Sequence, residues 1–299
     1  MRLRKYGEDK LLEKILPLLH RSARVISSGG DDCAVVRFRG TEDLLLLKTD
    51  CVVENVHFPP DTDARAVGWK AMMRTLSDFA AMSGLPEFAL VTLAIEGKRR
   101  LSWVEKLYRG LNRAAARFQV AVVGGETSDT RGSTVVAISA VGYVERDRCV
   151  WRSGGKVNDD LFVTGRLGGS IRSHHLKFIP RIDEARWLTS HFHIHAMIDL
   201  SDGLGTDLPR LARASELGFV IEQTALPLAP GCSTKQAISD GEDYELLFTL
   251  SPRSRESLKK NWARKFPKIP LTRIGQLTAK REIRSPEFPA GYVHFRQRR

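Results

Sequence analysis

Apolar residues along this chain switch repeatedly between helical spacing and alternation. Glu8 to Leu19 puts Leu11, Leu12, Ile15, Leu16 and Leu19 on one side of a helix, with Pro17 kinking or ending it. Cys33 to Phe38 and Leu44 to Leu47 read as short strands. Asp63 is a suitable N-cap for a helix running to Ser83, where Gly84 and Pro86 stop it. Phe88 to Ile95 is a strand, and Ser102 with Glu105 has the spacing of a capping box that opens a helix to about Phe118. Val120 to Val123 and Thr134 to Val144 read as strands flanking a loop, Gly124-Gly125-Glu126-Thr127.

A second unit begins near Arg152. Leu161 to Thr164 is a strand ending in the glycine-rich turn Gly165 to Ser170, and Pro180 to Ser190 is a helix. Ala196 to Leu200 leads into an Asp-Leu-Ser-Asp-Gly turn and a helix to Ser215. Phe219 to Glu222, Tyr244 to Leu250 and Leu271 to Leu277 are strands, with a helix near Pro252 to Phe266. Strands and helices interleave in both halves, so each half is a mixed α and β unit. The expected boundary lies at 146–152, giving domains 1–147 and 148–299.

Composition narrows the partners. The 299 residues carry a net charge of +12, which fits an anionic partner such as a phosphorylated small molecule. The basic residues are spread out, apart from runs such as Lys98-Arg99-Arg100 and the tail Arg296, Arg298 and Arg299. No zinc finger or aromatic RNA-binding signature is present, which disfavours nucleic acid. The four cysteines form no Cys-x-x-Cys pair, so free thiols in a reducing compartment are expected. Met1 to Asp9 holds no apolar signal core, and no apolar run approaches the roughly 20 residues that span a membrane. A cytoplasmic protein without a membrane partner is expected.

The candidate chemistry is acidic. Gly30-Asp31-Asp32, Thr49-Asp50 and Ser77-Asp78 form one cluster in sequence; Asp199-Leu200-Ser201-Asp202-Gly203 and Gly241-Glu242-Asp243-Tyr244 form another. Most of these carboxylates sit beside Gly, Ser or Thr next to apolar runs, where elements end and a ligand can approach. Magnesium takes one or two carboxylates per ion and fills its other positions with water and phosphate oxygens, so scattered Asp residues suit a polyphosphate with several Mg²⁺ ions. The chain has no P-loop, no His-Arg-Asp with Asp-Phe-Gly pair and no serine elbow.

In order and spacing these motifs closely resemble those of the thiamine-monophosphate kinase family, within the aminoimidazole ribonucleotide synthetase-like superfamily. The resemblance spans nearly the whole chain: Gly7-Glu8, Gly30 to Ala34, Lys48-Thr49-Asp50, Val56-His57-Phe58, Ala66 to Ala71, Leu76-Ser77-Asp78, Val123-Gly124-Gly125, Arg152-Ser153-Gly154, Val163-Thr164-Gly165, Ile198 to Leu204, Gly241 to Phe248 and Gly291-Tyr292. It implies a two-domain synthetase-like α+β fold, with N-terminal domains pairing into a β-barrel in a homodimer and ATP in a groove lined by both domains. The implied reaction is transfer of the γ-phosphoryl of ATP to thiamine monophosphate, making thiamine diphosphate. Implied metal ligands are Asp32, Thr49, Asp50, Asp78, Glu126, Asp199 and Asp202. Implied ATP contacts are Tyr108, Gly125, Glu126, Arg152 and Ser201, and implied substrate contacts are His57, Glu242 and Tyr292.

Each residue also has a plainer reading. Asp78 could form an i,i+4 ion pair with Arg74, Asp31 could be a turn residue, and Asp199 and Asp202 could cap the helix that follows. Arg152 could be a solvated surface arginine, Tyr108 could be core, and Tyr292 could be packing. The alternating His191, His193 and His195 read as a solvated strand or loop.

A phosphate monoester acceptor is largely ionised at neutral pH, so it needs no general base. The work is positioning and charge neutralisation, and no catalytic residue in the narrow sense is assigned. Several features depart from the family pattern: Lys48 replaces the common Thr, Glu126 replaces Asp or Asn, Asp240 replaces Gly, and Ser170 to Pro180 is short. An ammonium at position 48 would replace one metal or touch phosphate. These departures leave two alternatives: a superfamily relative with another small acceptor, and a nucleotide-binding dimer without catalysis.

Overall fold

The computed structural model describes Leu3 and residues 7–20, 22–279 and 288–292. Most of the N-terminal run Met1 to Asp9 and the basic tail at 296–299 lie outside the described residues. The chain forms a mixed α/β fold with two sheets. The first is six-stranded, in the order β1 (Val25–Ser27), β2 (Ala34–Arg37), β3 (Leu44–Val53), β6 (Val135–Val144), β4 (Leu85–Ile95), β5 (Ala121–Asp129). Only β4 and β5 run parallel, as they must when helix α3 (Leu101–Arg117) connects them as a crossover. The second sheet is antiparallel, in the order β8 (Ala196–Asp199), β10 (Leu246–Leu250), β7 (Asp160–Thr164), β11 (Leu271–Thr278), β9 (Gly218–Ile221).

Helix α1 (Glu8–Ile15) passes into a short 3-10 turn at Leu16–Leu18, where Pro17 ends the α geometry as the sequence predicts. Helix α2 (Ala64–Ala81) is the central element. Asp63 caps it, its carboxylate accepting from the amides of Arg65 and Ala66. It packs on α3, on β3 and β6, and on α4 (Ile182–His191) and β8 of the other half. A helix covered on so many sides is buried nearly all round, including Lys70, Ser77 and Asp78. Gly68 of α2 meets the backbone of Leu107, and Gly110 of α3 meets the backbone of Arg65; neither contact leaves room for a Cβ. One apolar core therefore runs from Val52, Met72 and Leu76 in the first half to Met197, Phe248 and Trp262 in the second.

Several local expectations are corrected. The strand expected at Leu44 to Leu47 continues to Val53, paired along its length with β6. Thus Asp50 lies within a strand, and Asp78 lies within α2 rather than at an element end. Gly124-Gly125-Glu126-Thr127 is not a loop but the body of edge strand β5, because its backbone is registered with β4. The Ser102–Glu105 box does not form: α3 starts at Leu101, and its N-cap Arg100 makes no side-chain cap. A capping box does form at Ser233 with Gln236, where it opens α6 (Thr234–Ser239). His195 is not a solvated residue, since Nδ1 lies 2.7 Å from Asp159 Oδ2 at a largely buried site. The remaining helices are α5 (Leu204–Ala214) and α7 (Arg255–Lys265).

Candidate active site

Strand alternation sorts the site residues. Along β3, Lys48 and Asp50 share the helix-covered face with buried Leu46 and Val52, while Thr49 points to the other face and bonds Ser139 at 3.1 Å. One turn short of the C-terminus of α2, Ser77 and Asp78 face Asp199 at the end of β8. Carboxylate oxygens of Asp32, Asp78 and Asp199 all lie within 4.8 Å of one another, and all three residues are buried. Ser77 Oγ donates to Asp199 at 2.6 Å, and Arg152 forks onto Asp32 at 2.8 and 3.1 Å. Arg152 is therefore no surface arginine. Asp31 accepts from Ser27 Oγ and the Arg152 amide and anchors the turn in front of this cluster.

Cations already attend part of the cluster. Lys48 Nζ lies 2.7 Å from Asp78 and 3.9 Å from Asp50, and Arg74 Nε lies 3.5 Å from Asp50. The i,i+4 pairing of Asp78 with Arg74 is thus replaced by Lys48 across the sheet–helix interface. Burial pushes Asp50 up, but Lys48 and Arg74 outweigh it and hold the carboxyl below its usual range. Asp199 forms no salt bridge among the described residues: burial, then the nearby Asp32, push it up to about 7 against the weaker pull of Ser77, Lys48 and Arg152. Burial also drives Asp78 well up, against the pull of Lys48. Three carboxylates this close and this buried want a cation between them, so the donor set fits a hard, oxygen-seeking divalent ion.

Two adjoining cavities lie here, the larger of them lined by Asp78 and Asp199 of this cluster. The larger, about 510 Å³, is bounded by Asp31, Lys48, Asp50, Asp78, Arg152 and Asp199. The smaller, about 330 Å³, has His57, Ile171, Glu242 and Tyr292 in its wall. Arg74, Ser201 and Asp202 line both. Arg74 Nε and Tyr244 Oη are buried without a hydrogen-bond partner among the described residues, at or beside the larger cavity. Such groups call for a ligand or water.

The smaller cavity is organised by contacts between residues distant in sequence. Buried Lys70 donates to Glu242 at 2.8 Å and to the His57 carbonyl at 2.7 Å, and its Nζ lies 2.7 Å from His175 Nδ1. Burial pushes Glu242 up, yet the His175 hydrogen bond and Lys70 hold it down at about 2. Glu242 has a left-handed backbone, φ 65°, and its amide donates to the Ser201 carbonyl. Tyr292 is fixed through its amide to the Asp202 carbonyl at 2.8 Å. Arg210 holds Asp202 at 2.5 Å and Asp207 at 3.1 Å. Lys70, His175 and Arg210 were not singled out from sequence as site residues; the partners of Lys70 lie 105 and 172 positions away, and no local pattern signals such pairs.

Four implied residues stand elsewhere. Thr49 faces the opposite side of the first sheet and lines neither cavity. Glu126 and Gly125 lie on exposed β5 and line neither cavity, and Tyr108 is half-buried against the core. Among the described residues no helix is long and apolar enough to cross a membrane.

Models of AIR synthase related proteins match this arrangement, the N-terminal domain over residues 30–144 and the C-terminal domain over 122–285. Curated thiamine-monophosphate kinases are similar over nearly their full length. That of Rhodopirellula baltica is 34% identical, covering 89% of this chain and 90% of the relative, and that of Bacillus subtilis is 30% identical, covering 91% and 92%. A solved structure described as AaThiL complexed with AMPPCP and TMP superposes with TM-score 0.84 at 31% identity, covering 98% of this chain and 99% of that one. The chain belongs to the thiamine-monophosphate kinase family of AIR synthase-related proteins.

Proposed function

We propose that this chain transfers the γ-phosphoryl of ATP to thiamine monophosphate, making thiamine diphosphate, in the two joined cavities. The observation that carries this reading is the junction: Arg74, Ser201 and Asp202 belong to both walls, so a donor in one cavity meets an acceptor in the other. The acidic larger cavity takes the ATP polyphosphate, with Arg152 and Ser201 beside it. The smaller cavity takes the phosphate ester, with His57, Glu242 and Tyr292 around it. Its relatives' names and the complex with AMPPCP and TMP support the same pairing.

Asp32, Asp78 and Asp199 are the proposed holders of magnesium, with Asp50 and Asp202 nearby. Bound there, magnesium would supply charge neutralisation to the β- and γ-phosphates. The chain's own part is positioning. Arg152, held by Asp32, keeps a guanidinium at the larger cavity, and the Lys70–His175–Glu242 network fixes the acceptor wall. The acceptor phosphate is already an anion, so no side chain must take a proton. Direct in-line transfer follows, with no phosphoenzyme. Thr49, Gly125, Glu126 and Tyr108 are site residues by family resemblance alone.

The same reading makes the protein a cytoplasmic homodimer of domains 1–147 and 148–299. The free state of Cys33, Cys51, Cys149 and Cys232 agrees with a reducing compartment. Support for pairing through the first sheet comes from its uncovered face, where Phe88, Leu90 and Val123 are 48%, 48% and 59% exposed. The test is product analysis with ATP, Mg²⁺ and thiamine monophosphate, with thiamine in parallel. Thiamine diphosphate should form only from the monophosphate and be lost in Asp50→Ala and Asp202→Ala. ATP binding without product would indicate another acceptor or a non-catalytic relative.

A further inference from the structure

Lys48 stands between two carboxylates of the groove. Its ammonium is 2.7 Å from Asp78 and 3.9 Å from Asp50, and Arg74 stands 3.5 Å from Asp50 on the far side. Two of the groove's carboxylates are thus matched by two side-chain cations. All four groups belong to β3 and α2, which are packed together, so the arrangement is part of the folded scaffold rather than a surface pairing. Among the described residues Asp199 accepts from the Ser77 hydroxyl and forms no salt bridge.

We infer that Lys48, backed by Arg74, is a built-in replacement for one divalent ion between Asp50 and Asp78, so that this chain loads fewer metal ions than its groove's carboxylates would otherwise hold. A magnesium ion sits about 2.0–2.1 Å from its carboxylate oxygens, so an ion bridging Asp50 and Asp78 would have to enter the space the ammonium already holds, 2.7 Å from Asp78 and 3.9 Å from Asp50. Like charges at such a distance repel strongly in a buried site. A tethered ammonium also cannot dissociate, so its charge persists when free Mg²⁺ is scarce. The inference rests on the metal site proposed above and concerns how many ions that site takes.

The test counts Mn²⁺, as a magnesium surrogate visible by electron paramagnetic resonance, bound per protomer. It compares the full chain with Lys48→Thr and with Lys48→Gln, the latter keeping most of the side-chain length. Each protein is titrated with and without AMPPCP. Both variants should bind one more Mn²⁺ than the parent, and millimolar Mg²⁺ should raise their melting temperature more than it raises the parent's. Equal Mn²⁺ counts in parent and variants overturn the inference, whatever the nucleotide does. An extra ion in the variants with no AMPPCP binding by any of the three keeps the inference and removes the nucleotide reading. AMPPCP binding with equal counts does the reverse.

Discussion

Replacing Lys70 by methionine tests how the acceptor wall is held. The ammonium has no exposed surface, and Glu242 keeps only 16% of its side-chain exposure. Methionine nearly fills the volume but leaves the carboxylate without its main counter-charge and the His57 carbonyl without its donor. Removing one partner of a buried pair costs roughly 3–5 kcal/mol. The low end, about 3 kcal/mol, is expected here because His175 remains 3.0 Å from Glu242 and the carboxylate reaches some solvent. Adding Glu242→Gln removes the stranded charge, so the double variant should recover about 1–2 kcal/mol relative to the sum of the singles. Urea unfolding at neutral pH of the parent, both singles and the double closes the cycle. A loss below about 1 kcal/mol in Lys70→Met, or strict additivity in the double, would refute the view that Lys70 holds Glu242 in place.

Two further predictions concern the packing and the acid response. Gly68→Ala and Gly110→Ala, although they raise helix propensity, should each destabilise by about 1–3 kcal/mol, because the new methyl meets opposing backbone; denaturant unfolding that shows either variant more stable than the parent would contradict the close α2–α3 contact. Glu242 is held at about 2, below its ordinary 4.5, so its contribution to stability is complete above pH 4.5 and fades as pH falls toward 2. Stability of the parent should therefore decline over that window more steeply than stability of Glu242→Gln, and parallel pH profiles would count against the ionised Lys70–Glu242 pair.

Much of this protein was legible in its sequence because the signals are local. The N-cap at Asp63, the break near Pro17, and the apolar runs of β4 and β6 each depend on neighbours within a few residues. The acidic motifs were also visible, since carboxylates beside Gly and Ser mark places where a ligand can reach the chain. One error and one rejected alternative show where local reading stops. Gly124 to Thr127 reads as a loop by its glycines, yet pairing with β4 makes it a strand. The plainer alternative for Asp78, an i,i+4 pair with Arg74, gives way because each residue turns to a β3 side chain: Asp78 to Lys48 and Arg74 to Asp50.

Only the tertiary structure decided which charges meet. Composition and spacing determined a basic chain with acidic motifs and alternating α and β elements, because those properties belong to each residue and its near neighbours. They could not determine that Lys48 pairs with Asp78, that Arg152 forks onto Asp32, or that Lys70 reaches Glu242, since each pair is separated by 30 to 172 positions and is brought together only by the packing of distant elements. Burial then sets the chemistry. The same aspartate side chain is held low at position 50, where Lys48 and Arg74 outweigh burial, and raised to about 7 at position 199, where burial and the neighbouring Asp32 outweigh Ser77, Lys48 and Arg152.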